Sequence, residues 1–504
     1  MNKFILLCSF LALTLCSCAG GNTSSSSSSS HPYVEGLWDE SQDNLRNGIK
    51  TIQFYNINDF HGATEFSSEL GEPGMYKLAS YIKSLKKQFQ EENFVLTSSG
   101  DMWQGSAESN LTYGKLVIDW MHELGFSAMA IGNHEFDWKI DKIIENQLYD
   151  PSIPYLACNI LDKSTNKPVD WAKPYTTITK NGVHIGIIGA IGENLTSSIV
   201  SSYVEDVKFV DPTPYVKQHA TFLKENGADI ILYLQHNDMS GNGKGADNFS
   251  SELYNSVDLC FAGHSHTKND LLITYGNKKI PIIQAYSNGK DIGHITMSVD
   301  FSGSRVDFKS KQIIRSFASD LSKYDDDPNS LMIYQKYKED IEKYTLRVVG
   351  HTDERISNYG ELESYVNKYS YRYYIDETEE KYPISLIKNN NARSPLKAGD
   401  ITYGDIYKSL PFDNYLVVLK VKGAFLMSEN YFMTYYSEYD YYPRGKEFKE
   451  EETYYILTIN YISEKYYYYM DDNRPINHYD LLDYYMVYPR DIVSTYIGED
   501  FPIR

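Results

Sequence analysis

Cysteine is scarce in this chain. Its 504 residues include five cysteines, and three of these, Cys8, Cys16 and Cys18, lie near the start of the chain. The other two, Cys158 and Cys260, stand in the apolar stretches YLACNI and VDLCFAG. Free cysteines in apolar surroundings pack as small hydrophobic residues, whereas disulfide-rich domains carry many closely spaced pairs. The sequence therefore favours two buried free thiols over a disulfide framework.

Basic residues are outnumbered. The 48 Lys and Arg residues face 68 Asp and Glu residues, which gives a formal net charge of -20. Proteins that bind the phosphate backbone of nucleic acids depend on clustered Lys and Arg side chains. The charge balance thus argues against a nucleic-acid polymer as partner, and a small anionic substrate would need a local positive site.

A long apolar run is found only at the N-terminus, which reads MNKFILLCSFLALTLCSCAGG. One lysine, a short apolar region and small residues are typical of a secretory signal too short to span a bilayer. The LCSC stretch resembles the bacterial lipoprotein cleavage box, which predicts removal of residues 1–17 and a lipid on Cys18. A plain cleaved signal without lipid is the alternative. The Ser-rich residues 18–47 then form a flexible tether, so we expect export and anchoring to the outer face of the cell membrane.

The length and the pattern of apolar runs predict more than one domain. From residue 48 to 316, short apolar runs alternate with amphipathic stretches such as Met75 to Phe89 and Lys115 to Leu124, which predicts a layered α/β domain. The runs are TIQFYNI, NFVLTSSG, SAMAIG, YLACNI, VHIGIIGAI, DIILYLQ, VDLCFAG and IPIIQAYS. The charged stretch 317–347 is predicted to form a helix between domains, and a tyrosine-rich second domain would occupy residues 348–504.

Polar side chains that can bind metals follow five of these runs. They occur in the motifs NDFHG, GDMWQGS, GNHEFD, LQHND and GHSH, and they are Asp59, His61, Asp101, Asn133, His236, His264 and His266. Because ligands of open α/β sheets bind beyond the carboxyl ends of the strands, we expect all seven to meet at one rim. Nitrogen and oxygen donors without thiolate suit a pair of divalent cations sharing a carboxylate. Taken singly, each motif also fits an ordinary polar loop.

The order of the five motifs resembles the calcineurin-like metallophosphoesterases, and in particular the bacterial 5′-nucleotidase family, over most of Thr51 to Val299. The resemblance implies a four-layer α/β/β/α domain and two divalent ions, with Mn, Zn, Fe, Co and Mg all open. It assigns one ion to Asp59, His61, Asp101 and His266. It assigns the other to Asp101, Asn133, His236 and His264, so that Asp101 bridges. Many nucleotidases of this branch carry Gln at the position of His266.

The stretch AIGNHEFDW resembles the segment that carries the catalytic pair of the same family. The resemblance implies that His134 hydrogen-bonds the phosphoryl or leaving oxygen and that Asp137 orients its imidazole. Water activated by the two cations would attack phosphorus. Glu135, between them, is expected to be a solvated or capping carboxylate.

The segment Leu386 to Gly423 resembles the C-terminal substrate-binding domain of nucleotidases, which would be an α+β domain. The resemblance implies that the substrate is bound by Asn389, Arg393, Phe412 and Asn414. Phe412 would stack on the base, and the Arg393 guanidinium suits phosphate or ribose oxygens.

Two features of this segment depart from the family pattern. Asn390 and Asn391 replace glycines, although Asn tolerates left-handed backbone better than most residues. The family's second stacking aromatic has only the stretch NYISEKYYYYMDD as a counterpart, where Tyr466 or a neighbour would serve.

The sequence thus predicts an exported two-metal phosphohydrolase that releases phosphate from nucleotides, with no protein partner indicated. A cyclic-nucleotide phosphodiesterase or a nucleotide-sugar hydrolase on the same fold is one alternative, because the metals recognise a phosphate and not the rest of the molecule. A nucleotide-binding or adhesive lipoprotein without catalysis is the alternative from another class.

Overall fold

A computed structural model describes residues 36–237, 251–303, 305–316, 318–389, 392–427, 440–468 and 479–503. The predicted signal and Cys18 lie outside these ranges, as do Asn390 and Asn391 of the substrate loop. Within them, no helix has the length and apolar character that a membrane span requires.

The strands are β1 (Ile49–Ile57), β2 (Phe94–Ser98), β3 (Ala128–Ala130), β4 (Tyr155–Leu156), β5 (Ile160–Asp162), β6 (Tyr175–Lys180), β7 (Val183–Ile191), β8 (Val207–Phe209), β9 (Ile230–His236), β10 (Leu259–Ala262), β11 (Lys268–Tyr275), β12 (Lys278–Ala285), β13 (Asp291–Asp300), β14 (Arg305–Arg315), β15 (Val348–Thr352), β16 (Ile384–Lys388), β17 (Gly399–Thr402), β18 (Leu416–Lys422), β19 (Thr453–Ile459) and β20 (Tyr479–Tyr485). Each apolar run quoted above contributes a strand, namely β1, β2, β3, β4, β7, β9, β10 or β12, which confirms that part of the prediction.

The helices are α1 (Gly74–Phe89), α2 (Ala107–Leu111), α3 (Lys115–Glu123), α4 (Lys139–Tyr149), α5 (Thr213–Glu225), α6 (Ala318–Leu321), α7 (Pro328–Thr345), α8 (Glu363–Thr378), α9 (Tyr403–Ser409), α10 (Gly423–Met427), α11 (Asn460–Tyr468) and α12 (Pro489–Asp500). Short 3₁₀ turns include His134–Trp138 and Ser201–Tyr203, and Asn358–Leu362 forms a π-helical turn. The two helices predicted from their apolar spacing are confirmed as α1 and α3.

Two six-stranded sheets form the larger part of the fold. Their strand orders are β14-β13-β1-β2-β3-β4 and β11-β12-β10-β9-β7-β6. The strands β1 to β4 run parallel in the first sheet, and β7, β9, β10 and β12 run parallel in the second. Strands buried on both faces read as continuous apolar runs, and β7 is buried along its whole length.

Apolar side chains fill the space between the two sheets and cover their outer faces. Phe54 and Val95 of the first sheet pack with Ile185 and Leu232 of the second. The other face of the first sheet packs against α1 and α3, and the other face of the second packs against α5. This arrangement confirms the predicted four-layer α/β/β/α fold.

A four-stranded sheet, β16-β19-β18-β20, lies in the C-terminal part of the chain. It shares a separate apolar core with α8 and α12, to which Leu386, Val418, Leu457 and Val493 contribute. The predicted α+β character of this region is confirmed. The predicted helical stretch between the two cores contains α6 and α7, and α7 packs against the larger core through Ile341.

The start of α7 is held by Asp327. Its side chain accepts hydrogen bonds from the Ser330 N–H at 2.9 Å and from Lys83 Nζ at 2.8 Å. Lys83 belongs to α1, so one carboxylate both caps α7 and ties it to the first sheet's helical layer.

We expect Asp327→Ala to lower the free energy of unfolding by about 2 kcal/mol, because a lost N-cap and a lost charged hydrogen bond each cost about 1–2 kcal/mol. Asp327→Asn keeps the cap and should cost less. Urea denaturation measures both, with Asp340→Ala, an exposed change on the same helix, as the control. Equal midpoints for Asp327→Ala and the control would contradict this role.

Candidate metal centre and active site

The seven predicted metal-binding side chains come together at one edge of the stacked sheets. They follow β1, β2 and β3 of the first sheet and β9 and β10 of the second. The expected single rim is shared by the two sheets, because they stack with the carboxyl ends of their parallel strands at the same edge.

One group of donors consists of Asp59, His61 and His266, whose ligand atoms all lie within 4.8 Å of one another. The two imidazole Nε2 atoms of His61 and His266 are 2.9 Å apart. Asp59 Oδ1 lies 3.5 Å from His266 Nε2.

A second group consists of Asp101, His236 and His264, again within 4.8 Å of one another. Asn133 Oδ1 lies 2.8 Å from His264 Nδ1 and 3.1 Å from His236 Nε2, so the amide joins this group. Asp101 Oδ2 is 3.1 Å from His236 Nε2, and Asp101 also lies within 4.8 Å of the ligand atom of His61. Asp101 therefore stands between the two groups.

Backbone carbonyls set the tautomer of two of these histidines. His61 Nδ1 donates to the Gln104 carbonyl at 2.9 Å, and His236 Nδ1 donates to the Ser99 carbonyl at 2.6 Å. Since a carbonyl only accepts, the Nε2 lone pair of each ring is left for the donor cluster. Such partners are typical of metal-binding histidines.

The backbone is strained at the same places. Asp59, His61, Asp101, His264 and His266 all have positive φ, between 51° and 84°. Positive φ is uncommon for residues other than glycine and costs of order 1–3 kcal/mol each, and it concentrates at functional sites. Gly132 permits the close approach of the loops, since a Cβ there would lie 2.2 Å from Asp101 Oδ1.

The charges of the cluster call for cations. Asp59 and Asp101 are essentially unexposed. Burial, together with the charge of Asp101, raises the pKa of Asp59 to about 7. Burial lowers the pKa of His236, but Asp101 raises it more, to about 9. Crowded, buried carboxylates with nitrogen and oxygen donors and no thiolate fit two divalent metal ions.

His134 and Asp137 form a pair beside this cluster. His134 Nδ1 lies 2.8 Å from Asp137 Oδ2, so Nε2 is left for a ligand. Burial lowers the pKa of His134, but the charges of Asp137 and Asp101 raise it more, to a value above the ordinary one. Burial also raises the pKa of Asp137 while His134 opposes that shift. The contact between the two side chains therefore fixes the orientation of the His134 ring.

Glu135 is not solvated, which corrects one of the two expectations for it. The side chain is fully buried and accepts backbone hydrogen bonds from Gly132 at 2.6 Å, Asp101 at 2.9 Å and Met102 at 2.8 Å. It thus ties the loop after β2 to the loop after β3. In the sequence, only the position of Glu135 inside GNHEFD pointed to a role. The three N–H groups that it binds come near it only when the chain folds.

A cavity of about 390 Å³ opens over the cluster. Both sheet-bearing and C-terminal parts of the chain line it, with Asn133, His134, Asp137 and His266 on one side and Arg393, Phe412, Asn414 and Tyr461 on the other. The Phe412 and His134 ring centroids are 5.6 Å apart, and the Arg393 guanidinium lies 4.8 Å from the Phe412 ring centroid.

Three of the four predicted substrate residues line this cavity, and Asn389 does not. Its side chain is 1% exposed and donates to Ser370 Oγ at 2.9 Å, because β16 ends against α8. Tyr461 supplies an aromatic side chain in the region where Tyr466 was proposed, and the side chain of Tyr466 is outside the described part. Tyr203 and Asp413 also line the cavity, and neither is among the predicted residues. Asp413 stands between the predicted Phe412 and Asn414, which is the signal that could have found it.

Comparison with known proteins gives two family matches. Residues 52–268 match the calcineurin-like phosphoesterase family, and residues 352–428 match the C-terminal domain of 5′-nucleotidase. An endonuclease of Bacillus subtilis is 27% identical over 404 residues, which cover 74% of this chain and 32% of that protein. The 5′-nucleotidase of Bos taurus is 24% identical over 418 residues, which cover 74% of this chain and 70% of the relative. The chain thus spans about a third of the endonuclease.

Among solved structures, a 5′-nucleotidase precursor of Thermus thermophilus has a similar fold. Its TM-score is 0.72 at 18% identity, and the match covers 90% of this chain and 97% of that one. At this identity the match speaks for the fold alone.

We expect Glu135→Gln to weaken divalent-metal binding about 10–100-fold, as is typical for partners that orient metal ligands. The side-chain amide of Gln would place an N–H donor against backbone N–H groups, which cannot accept a hydrogen bond. Isothermal titration of chelated protein with Mn or Zn measures the effect. Glu145→Gln, an exposed change on α4, is the control. Wild-type metal affinity in Glu135→Gln would overturn the assignment.

Proposed function

We propose that this chain, which belongs to the calcineurin-like phosphoesterase family and carries a 5′-nucleotidase C-terminal domain, is a metal-dependent hydrolase that releases phosphate from nucleotides. One observation carries the proposal. Three members of the donor cluster, Asn133, His264 and His266, line a single cavity together with the His134–Asp137 pair. An aromatic ring and an arginine from the second domain, Phe412 and Arg393, line the same cavity. Its volume, about 390 Å³, lies within the range of small-molecule sites.

The seven donors are proposed to hold two divalent ions, with Asp101 in the bridging position. When bound, such ions lower the pKa of water and neutralise charge on the phosphoryl group. Asp59, His61 and His266 serve one position, and Asn133, His236 and His264 serve the other. The positive-φ backbone and the carbonyl-bonded imidazoles support this assignment, since both preset the ligands.

His134 is proposed to stabilise the transition state. With Nδ1 held by Asp137, its Nε2–H donates to a phosphoryl oxygen or to the ester oxygen that leaves. Water oxygen bonds to phosphorus while the bond from phosphorus to the ester oxygen breaks, and the nucleoside leaves as an alcohol. The charge of Asp137, one cause of the raised pKa of His134, favours the protonated donor.

The second domain is proposed to recognise the nucleoside. Phe412 and Tyr461 offer aromatic faces to the base, and base–aromatic stacking tolerates every base. Arg393 suits phosphate or sugar oxygens, and Asn414 adds an amide at the same wall. Asn389 has no part in this proposal because its side chain is buried away from the cavity.

We also propose that the chain acts outside the cell, held at the outer face of the membrane by a lipid on Cys18. This rests on the sequence of residues 1–47 alone. Nucleotides cross membranes poorly because of their charge, so an exported enzyme that removes the phosphate would make nucleoside and phosphate available separately.

The activity is tested with protein that begins after Cys18, chelated and then resupplied with Mn, Zn, Co or Mg. We expect metal-restored phosphate release from nucleotides, and a loss of about 10²–10⁴-fold in His134→Ala, as for a general acid or base. Asp101→Ala should lose activity, and added metal should not restore it. His122→Ala, an exposed histidine on α3, is the control.

The substrate panel separates the alternatives. It contains nucleoside mono-, di- and triphosphates, cyclic nucleotides, nucleotide sugars and an aryl phosphate monoester. If only cyclic nucleotides or only nucleotide sugars are hydrolysed, the protein is a phosphodiesterase or a nucleotide-sugar hydrolase, and the proposal of a phosphate monoester hydrolase is wrong. No release from any compound with any metal would favour a binding lipoprotein.

For the anchor, we expect Cys18→Ser to move the protein from the membrane fraction to the soluble exported fraction and to abolish palmitate labelling in a bacterial host. One acyl chain alone binds a membrane weakly, and stable attachment takes two lipid signals. Recovery in the membrane fraction therefore indicates that the full lipid modification is present. Cys260→Ser is the control. Unchanged fractionation and labelling in Cys18→Ser would contradict lipidation.

A further inference from the structure

An arginine without a place in the reaction above lies behind the cavity. Arg490, at the start of α12, is 4% exposed. Its guanidinium carbon lies 4.2 Å from the Tyr407 ring centroid and 4.3 Å from the Tyr488 ring centroid. Burying a guanidinium is costly unless its charge is paired, so its polar contacts should be specific.

Both acceptors of Arg490 belong to one short segment. Its Nη1 donates to the Phe412 carbonyl at 2.9 Å, and its Nη2 donates to Asp413 Oδ1. From the first domain, Asn110 Nδ2 donates to the neighbouring Pro411 carbonyl at 2.8 Å. Three consecutive residues are therefore held from two sides.

The held segment is a wall of the nucleotide cavity. Phe412, Asp413 and Asn414 all line it, and the Phe412 ring is the one near His134. A shift of this segment would move the ring and the Asp413 carboxylate together. Arg490 is thus placed to set the wall although it does not itself line the cavity.

Asp413 brings an acceptor to this wall. One of its oxygens is taken by Arg490, and the other has no hydrogen-bond partner in the part of the chain that the structure describes. A carboxylate accepts hydrogen bonds and repels phosphate, so the groups of a nucleotide that it can bind are the neutral N–H and O–H donors of the base and the sugar. With the phosphate at the metal donors and the base at Phe412, the sugar spans the distance between them, and its hydroxyl groups are the donors within reach of the cavity-lining residue next to Phe412.

We infer that Arg490 is a positioning residue that fixes Asp413 as the acceptor for sugar hydroxyl groups, so that the pair selects hydroxyl-bearing nucleotides. This rests on the proposed function for the placement of the phosphate and the base. The chemical class selected is a nucleoside phosphate with free 2′- and 3′-hydroxyls.

The test compares adenosine 5′-monophosphate with its 2′,3′-dideoxy analogue and with an aryl phosphate, measuring kcat and KM separately. In wild type, kcat/KM should favour the ribonucleotide over the dideoxy analogue by about tenfold or more, the value of a hydrogen bond to a charged group. Asp413→Ala should abolish that preference, so that the two kcat/KM values become about equal, chiefly through a higher KM for the ribonucleotide.

Arg490→Lys should move the preference in the same direction, because one ammonium cannot make both forked contacts. Asp413 is partly exposed, with 26% of its side chain accessible, so Asp413→Ala keeps the test valid if the arginine variant fails to fold. Arg372→Gln, which removes a surface ion pair of the same domain, is the control and should retain the wild-type preference.

A binding measurement separates this inference from the proposed function. Titration with adenosine and 2′,3′-dideoxyadenosine needs no turnover, and we expect the same loss of preference in Asp413→Ala. Absence of hydrolysis with the preference intact in binding would overturn the proposed function but support this inference. A wild-type protein that does not distinguish the two nucleosides, or variants that keep the preference, would overturn the inference.

Discussion

Two buried carboxylates dictate the rest of the site. Asp59 and Asp101 lie in the same unexposed place, and like charges in such surroundings repel strongly. Metal cations are the groups that relieve this repulsion while adding chemistry. The strained backbone, the carbonyl-bonded imidazoles and the Glu135 contacts all serve to hold donors around these two side chains. The stability contributed by the two large apolar layers offsets the free-energy cost of this strained backbone.

The second constraint is contact between the two cores. Asn110 bonds the Pro411 carbonyl, and Lys408 lies 2.9 Å from Glu72 across the same contact. Glu72 is buried, so the ion pair is more than a solvated surface contact. These contacts place Phe412 and Arg393 in the wall of the cavity that the candidate metal donors Asn133, His264 and His266 also line. The cavity therefore depends on both parts of the chain, and neither alone carries metal donors and an aromatic wall.

Much of the first core could be predicted because its signals are local. Continuous apolar runs predict buried strands, and spacing predicts α1 and α3. The polar residues that end β1, β2, β3, β9 and β10 could be recognised as one set because strand ends share an edge. What periodicity could not predict was which of these strands belongs to which of the two sheets. Strand order depends on pairing between distant segments, which periodicity does not report.

The sequence alone predicts the candidate metal donors, the His134–Asp137 pair and the order of their motifs along the chain, since each lies in a short segment whose residue types carry the chemistry. Tertiary structure alone decided three other matters. It buried Glu135 against three N–H groups, turned Asn389 into the second core, and brought Tyr203, Asp413 and Tyr461 to the cavity. The physical reason is the same in each case. These roles depend on which distant backbone atoms and rings lie within a few ångströms, and that proximity is created by the packing of whole layers.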